Sequence, residues 1–345
     1  TQYHRVEVVD RDQLVQFTTT PMPAASIVRI QRSPQLSAEL VLGDKLKELS
    51  ITEGRALKGL SVNGPLPADA TLEGFRDLQY CALGGANVQD RICASIWQCP
   101  KLDHLILAHA NLSRRSLLHI GELKELSTLI IPGADVDDSI TSSWRALTQL
   151  SEVDLSYTKI SRETFQFLMS LKNLQRLAIN HVAIDRRDLG PLAGIAQLIE
   201  LEVAGVGLDD DLLETLLARG MLDRLELSDC ELSGRAVTIL ASPIARSLVF
   251  LGLRECGLTE GEVQQILDGH AHLVVDVSGH LLSDDFIDKL QREKRLVRRH
   301  DRLGFLRHVS RFNQNNIGSE AVIVDTIPGR INVHQFMPPS RAASL

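Results

Sequence analysis

The stretch Leu150-Ser-Glu-Val153-Asp-Leu155-Ser-Tyr-Thr158-Lys-Ile160 decides how this chain is read. Its apolar residues take the first, fourth, sixth and eleventh places of a short frame, and a small residue takes the ninth. The frame recurs at Leu102/Leu105/Leu107/Ala110/Leu112, at Leu126/Leu129/Ile131/Ala134/Val136 and at Leu174/Leu177/Ile179/Val182/Ile184. It returns at Leu198/Leu201/Val203/Val206/Leu208, Leu222/Leu225/Leu227/Cys230/Leu232 and Leu248/Leu251/Leu253/Cys256/Leu258. The sixth place falls at Leu83, Leu107, Ile131, Leu155, Ile179, Val203, Leu227, Leu253 and Val277, with steps of 24 residues six times, then 26, then 24. Shorter copies at Leu46/Leu49/Ile51 and Leu57/Leu60/Val62 bring the expected strands to about eleven.

Within the frame, two apolar residues two apart share one face of a short strand, and the residues between them point to the other face. The outer apolar positions turn inward from the flanking turns. One such unit cannot bury its own apolar side, so each must be covered by its neighbours, as in a solenoid. After each strand comes a residue suited to start a helix: Ser113, Ser161, Asp185, Asp209, Ser233, Thr259 or Ser283. Thr259-Glu-Gly-Glu262 also fits a capping box. Apolar pairs at helical spacing follow, such as Phe165/Leu168 and Leu213/Leu216/Leu217. Strands stack at about 4.8 Å whereas helices need roughly 10 Å, so such a stack bends with its strands inside.

The pattern resembles the leucine-rich-repeat family from about Leu46 to Leu290. The resemblance implies an α/β horseshoe, with a parallel sheet on the concave face and short helices on the convex face. The ninth place lacks the asparagine common in that family; it holds Ala86, Ala110, Ala134, Thr158, Val182, Val206, Cys230, Cys256 and His280. In this it is more similar to ribonuclease-inhibitor-like and bacterial repeat proteins.

Three regions are expected: an N-terminal β-rich cap over residues 1–45, the array over 46–282, and a C-terminal part over 283–345. In the first, Arg5–Val9, Ser26–Ile30 and Glu39–Leu42 read as strands broken by Pro21, Pro23 and Pro34. In the last, a helix from Asp284 with Phe286, Ile287 and Leu290 inward is expected to continue through the basic stretch Lys289 to Arg311. A loop from Phe312 and two strands at Ala321–Asp325 and Arg330–His334 follow, then a tail from Met337.

The 345 residues carry a net charge of −7, which argues against a general nucleic-acid binder. From Ser283 onward the balance is +4, from 11 basic and 7 acidic residues, leaving −11 for the rest. Nucleic acid or an anionic membrane is therefore expected only at Lys289 to Arg311, which reads equally as a solvated helix neutralising the acidic array. Five irregularly spaced cysteines read as reduced thiols, which favours the cytoplasm. The chain begins at Thr1, which leaves a trimmed signal or anchor open.

No phosphate loop, HExxH, GxSxG or GxGxxG pattern is present, so a non-catalytic chain without cofactor or small-molecule substrate is expected. Gly205-Val-Gly207 reads as a repeat turn. Cys81, Cys93, Cys99, Cys230 and Cys256 read as core residues. His270, His272 and His280 read as structural or solvent-facing, and Asp209-Asp-Asp211 as a helix cap that complements the dipole.

Binding is expected on the concave face, at the third, fifth and seventh places. The early repeats put Tyr80, His104, Ile106, Thr128 and Ile130 there, an apolar exposed patch with Ile106 and Ile130 adjacent. Those isoleucines read either as a contact site, as β-branched strand formers, or as a surface that a terminal segment covers. The later repeats contribute Glu152, Asp154, Arg176, Glu200, Glu202, Arg224 and Glu226, a charged and mainly acidic patch. The expected function is a protein-interaction scaffold. Alternatives are the recognition arm of a larger enzyme, such as a ubiquitin-ligase-like effector, and a surface-tethered bacterial repeat protein.

Overall fold

A computed structural model of the chain describes residues 5–9, 27–31, 39–42, 46–296, 321–327 and 330–336. The first strands are β1 (Arg5–Val9), β2 (Ile27–Gln31), β3 (Glu39–Leu42), β4 (Glu48–Ile51), β5 (Gly59–Pro65) and β6 (Thr71–Leu72). Then come β7 (Tyr80–Gly84), β8 (His104–Ala108), β9 (Thr128–Ile130), β10 (Glu152–Asp154) and β11 (Arg176–Ala178). They are followed by β12 (Glu200–Glu202), β13 (Arg224–Glu226), β14 (Phe250–Gly252) and β15 (Val274–Asp276). An 11-stranded parallel sheet runs β3, β5, then β7 to β15 in order. This is an α/β repeat solenoid with strands on its concave side and helices on its convex side.

The register repeats the frame. Val153 lies between Leu129 and Leu177, and Leu201 between Leu177 and Leu225. These residues, with the sixth-place Leu107, Ile131, Leu155 and Ile179, belong to one continuous buried core. Each is covered by equivalents one coil above and below, so stability accrues coil by coil.

Helices close the convex side, among them Arg114–His119, Arg162–Ser170, Asp210–Ala218, Gly234–Ala241, Glu260–Asp268 and Asp284–Arg292. The expected caps hold at Ser113, Asp185, Asp209, Ser233, Thr259 and Ser283, each accepting a backbone N–H from its first turn. Thr259 and Glu262 form the full capping box. Ser161 differs: its own backbone N–H donates to Asp138 of the preceding coil at 2.8 Å. The same link recurs as Asp90 to Ser113 N (2.9 Å), Asp210 to Ser233 Oγ (2.8 Å) and Glu260 to Ser283 Oγ (2.9 Å). An acid in the first turn of one helix thus anchors the cap of the next. Within the Asp209–Asp211 triplet, Asp209 caps its own helix, Asp210 reaches Ser233 and Asp211 pairs with Arg235 at 2.6 Å.

The N-terminal strands depart from the expected cap. β1, β2, β4 and β6 form a second parallel sheet, while β3 and β5 extend the main one. The early coils therefore give one strand to each sheet, and pairing crosses the expected boundary at residue 45 without a break. The frame predicts both Leu49 and Leu60 in the concave sheet, but Leu49 lies in β4, in the second sheet. Only 11 residues separate them, too few to circle a coil whose repeat is 21, the step from Ile27 to Glu48 and from Gly59 to Tyr80.

At the other end, the helix stops at Arg292 instead of running on to Arg311. Lys294 takes a left-handed φ of 56° and the chain returns, so that Leu296 bridges in parallel to Val275. Arg295 secures this return by donating to the carbonyls of Leu267 (2.8 Å) and Leu273 (3.2 Å). β16 (Ala321–Ile327) and β17 (Arg330–Phe336) form the expected antiparallel hairpin. The remainder of the basic stretch, the Phe312 loop and the Met337 tail lie outside the described residues.

Candidate functional site

The concave sheet places like positions of successive coils side by side, so the face is organised in columns along the stack. The third-place column runs Tyr80, His104, Thr128, Glu152, Arg176, Glu200, Arg224 and Phe250. Its later half alternates in charge. Arg176 Nη1 donates to Glu152 Oε2 at 2.9 Å, and Arg176 Nε lies 3.5 Å from Glu200. Arg224 Nε donates to Glu200 Oε1 at 2.8 Å, and its guanidinium sits 4.2 Å over the Phe250 ring. Four charges pair across three strand gaps, so the acidic excess of the predicted patch lies in the neighbouring column rather than in this one.

The fifth-place column runs Ala82, Ile106, Ile130, Asp154, Ala178, Glu202, Glu226, Gly252 and Asp276. It carries carboxylates and no basic residue. Asp154 accepts from Ser156 N at 2.8 Å and Glu202 from Asn180 Nδ2 at 2.9 Å. Neither is within ion-pair distance of a cation among the described residues. Burial pushes the Asp154 carboxyl up to about 6, with Glu152 adding to the rise. Burial pushes Glu202 up to about 8, reinforced by Glu200 and Glu226. Glu200 is raised by burial too, although Arg224 and Arg176 oppose it.

The apolar half also differs from expectation. Tyr80, Ala82, Ile106 and Ile130 form a cluster separate from the main core, but they are covered: Ile106 is 6% exposed and Ile130 only 1%. The exposed apolar patch is absent. Tyr80 and His104 lie with ring centroids 5.9 Å apart, and His104 Nδ1 is 2.6 Å from Asp103.

Two further columns border this face: the seventh place, which the frame assigns to it, and the eighth, which the frame does not. At the seventh place, Ser156 Oγ accepts from Asn180 N (3.0 Å), Asn180 Oδ1 from Ala204 N (2.8 Å) and Ser228 Oγ from Arg254 N (3.0 Å). This ladder ties coil to coil two places earlier than the asparagine position that the chain leaves empty. At the eighth place every coil from β7 to β15 turns through positive φ, at Gly85, His109, Gly133, Tyr157, His181, Gly205, Asp229, Glu255 and Gly279. Large side chains there lie over the next coil's glycine. A Cβ on Gly133 would sit 2.6 Å from His109 Nδ1, and one on Gly205 would sit 2.3 Å from His181 Nδ1. Tyr157 and His181 stack at 4.9 Å, with Tyr157 44% exposed. Beyond Gly205, His181 Nε2 comes within 3.7 Å of Asp229, which also pairs with Arg254 at 2.9 Å. The recurrent glycine was the available signal.

The cysteines pack as expected. All five are free and buried. Burial pushes the Cys93 and Cys256 thiols up to about 12 and Cys99 to about 11, so they stay protonated at neutral pH. His270 is buried with Nε2 2.6 Å from the Leu240 carbonyl, and His280 Nδ1 lies 3.0 Å from the Val277 carbonyl.

No family model matches this sequence, and no curated protein does. Among solved structures, the chain is similar to an internalin (inlF) from Listeria monocytogenes. That similarity has 16% identity and a TM-score of 0.46, over 83% of this chain and 86% of that one.

Proposed function

We propose that this chain is a leucine-rich-repeat scaffold that binds a protein partner through its concave face. The observation that carries the reading is the fifth-place column. Asp154 and Glu202 stand on a rigid parallel sheet, raised in pKa by burial and without a basic neighbour among the described residues to neutralise them. Desolvated carboxylates of that kind are costly in the free protein. A partner that supplies guanidinium or ammonium groups relieves the cost, and the fixed pitch of the strands selects its spacing. The neutralised third-place column beside it serves as a firm support.

Affinity capture with the intact chain, followed by mass spectrometry, tests this. Glu202→Lys, with an unchanged far-UV spectrum, should reduce the captured partner at least tenfold. Full capture by that folded variant would place the contact elsewhere.

A further inference from the structure

The edge of the sheet where the chain enters each strand changes character along the stack. The second place of the frame forms this edge. In the early coils Ser127 Oγ donates to the Asp103 carbonyl and Ser151 Oγ to the Ser127 carbonyl, each at 3.1 Å. Those hydroxyls tie the edge from one coil to the next. In the late coils the second place holds Ile199, Asp223 and Val249. Backbone bonds set the three side by side: Asp223 N donates to the Ile199 carbonyl at 2.9 Å, and Val249 N to the Asp223 carbonyl at 2.7 Å. Val249 is 54% exposed, and Met221, just before Asp223 in its coil, is 45% exposed. Large aliphatic residues gathered on one edge at that exposure mark a contact surface.

Two polar atoms in this patch are buried and without a hydrogen bond among the described residues: Asp223 Oδ1 and Ser247 Oγ. Ser247 precedes the first-place Leu248 as Met221 precedes Leu222, so the two hold the same place in adjoining coils. Asp223 as a whole stays partly exposed. A carboxylate with one oxygen shut from water and unbonded is poorly solvated, so it gains more than an ordinary surface acid from a cation brought to its open side.

The same edge carries a cation. Arg246, next to Ser247, is exposed and has no ion pair among the described residues. It lies in the one coil that breaks the 24-residue step between Leu83 and Val277. Six residues, 242–247, link the helix Gly234–Ala241 to Leu248, where three, 219–221, link Asp210–Ala218 to Leu222. The residues that lengthen this coil therefore fall in the turn that carries Arg246.

We propose that two copies of this chain meet at this edge about a two-fold axis, with Met221 and Val249 against their equivalents and Arg246 of each copy on Asp223 of the other. An isologous contact needs a surface that complements itself, and this one holds an apolar centre and both members of an ion pair. The contact lies outside the concave columns, so a dimer presents two such faces to a partner. A stable dimer hides about 800 Å² on each copy. A patch of so few side chains falls short of that, so the pair forms at high protein concentration.

Sedimentation equilibrium of the full chain over a concentration series tests this. The average mass should climb from one chain toward two as concentration rises, and less steeply in high salt. Val249→Lys, at an exposed position, should weaken the association about tenfold or more. Arg246→Asp and Asp223→Arg should each weaken it about tenfold, because each sets like charges against one another. The double variant Arg246→Asp/Asp223→Arg reverses the pair and should regain the parent's association. Far-UV spectra show whether each variant folds; if Asp223→Arg does not, Val249→Lys and Arg246→Asp decide the matter. A mass that stays at one chain throughout would overturn the proposal. So would association that Val249→Lys or Arg246→Asp leaves unchanged, since the copies would then meet elsewhere, and so would a folded reversed pair no stronger than the single changes.

Discussion

The two halves of the concave face share one backbone and differ in everything their side chains do. From β7 to β9 the outward residues pack as an apolar cluster, with Ile130 and Ile106 closed off almost as fully as the main core. From β10 to β14 the same places hold an alternating ladder, Glu152, Arg176, Glu200 and Arg224, beside a column of carboxylates. The strands are equally regular in both, so backbone geometry does not choose between them. The difference lies in what a removed partner would leave behind. In the early half it leaves a void, and in the late half it leaves an uncompensated charge.

The sharpest way to break the contrast is to put the late half's chemistry into the early half. Ile130→Asp would bury a carboxylate directly beside Asp154 in the same column. It should cost about 4 kcal/mol or more in urea unfolding, because an unpaired buried charge joins a like neighbour. Arg176→Ala probes the late half and should cost about 2 kcal/mol by removing the 2.9 Å bond to Glu152 and the 3.5 Å contact with Glu200, which keeps Arg224. Adding Glu152→Gln and Glu200→Gln should recover most of that loss; no recovery would mean that packing of the arginine stem carries the effect.

Gly205→Ala should cost about 2 kcal/mol, since it combines strain at φ 70° with a clash against the His181 ring. Gly207→Ala, at φ 76° with nothing within 4 Å, should cost about 1 kcal/mol from backbone strain alone. Equal losses would show that the ring moves aside freely.

The pH response of Glu202 separates the two halves by titration alone. Its carboxyl is raised to about 8, so the folded state holds the proton more tightly than the unfolded chain. The stability this contributes is present below the ordinary carboxylate range and is lost as pH rises through 8. Glu202→Gln should therefore match the parent near pH 4 and exceed it at pH 9, the gap opening as the pH rises from the ordinary carboxylate range to about 8. The Asp154 carboxyl, raised to about 6, repeats the trend over a lower window. Cationic ligands follow the opposite sign, since they need the ionised forms and should bind more tightly as pH climbs from 6 to 8.

Much of this face is legible in the amino-acid sequence. The frame places Tyr80, Ile106, Glu152, Arg176 and Glu202 on one face, and the structure has them there. The alternation of Glu152, Arg176, Glu200 and Arg224 is present in the frame as well, but only neighbouring strands in register turn it into ion pairs. The two-sheet coils at the N-terminus are harder to see. Strands such as Thr71–Leu72 are too short to carry a period, and the 21-residue step differs from the 24-residue frame. A strand crosses the convex side at about 3.3 Å per residue and a helix at 1.5 Å, so the shorter coil has room only for a strand.

By itself the sequence determined the period, the inward residues and the helix starts. Those depend on side chains a few places apart along one coil, and their order is local. The tertiary structure decided which charges cancel, which carboxylates are raised in pKa by burial, where a histidine must meet a glycine, and that Ile130 is dry. Each of these joins residues about 24 places apart, across gaps of one strand spacing. At that range the burial of each group depends on its neighbours in the adjoining coils.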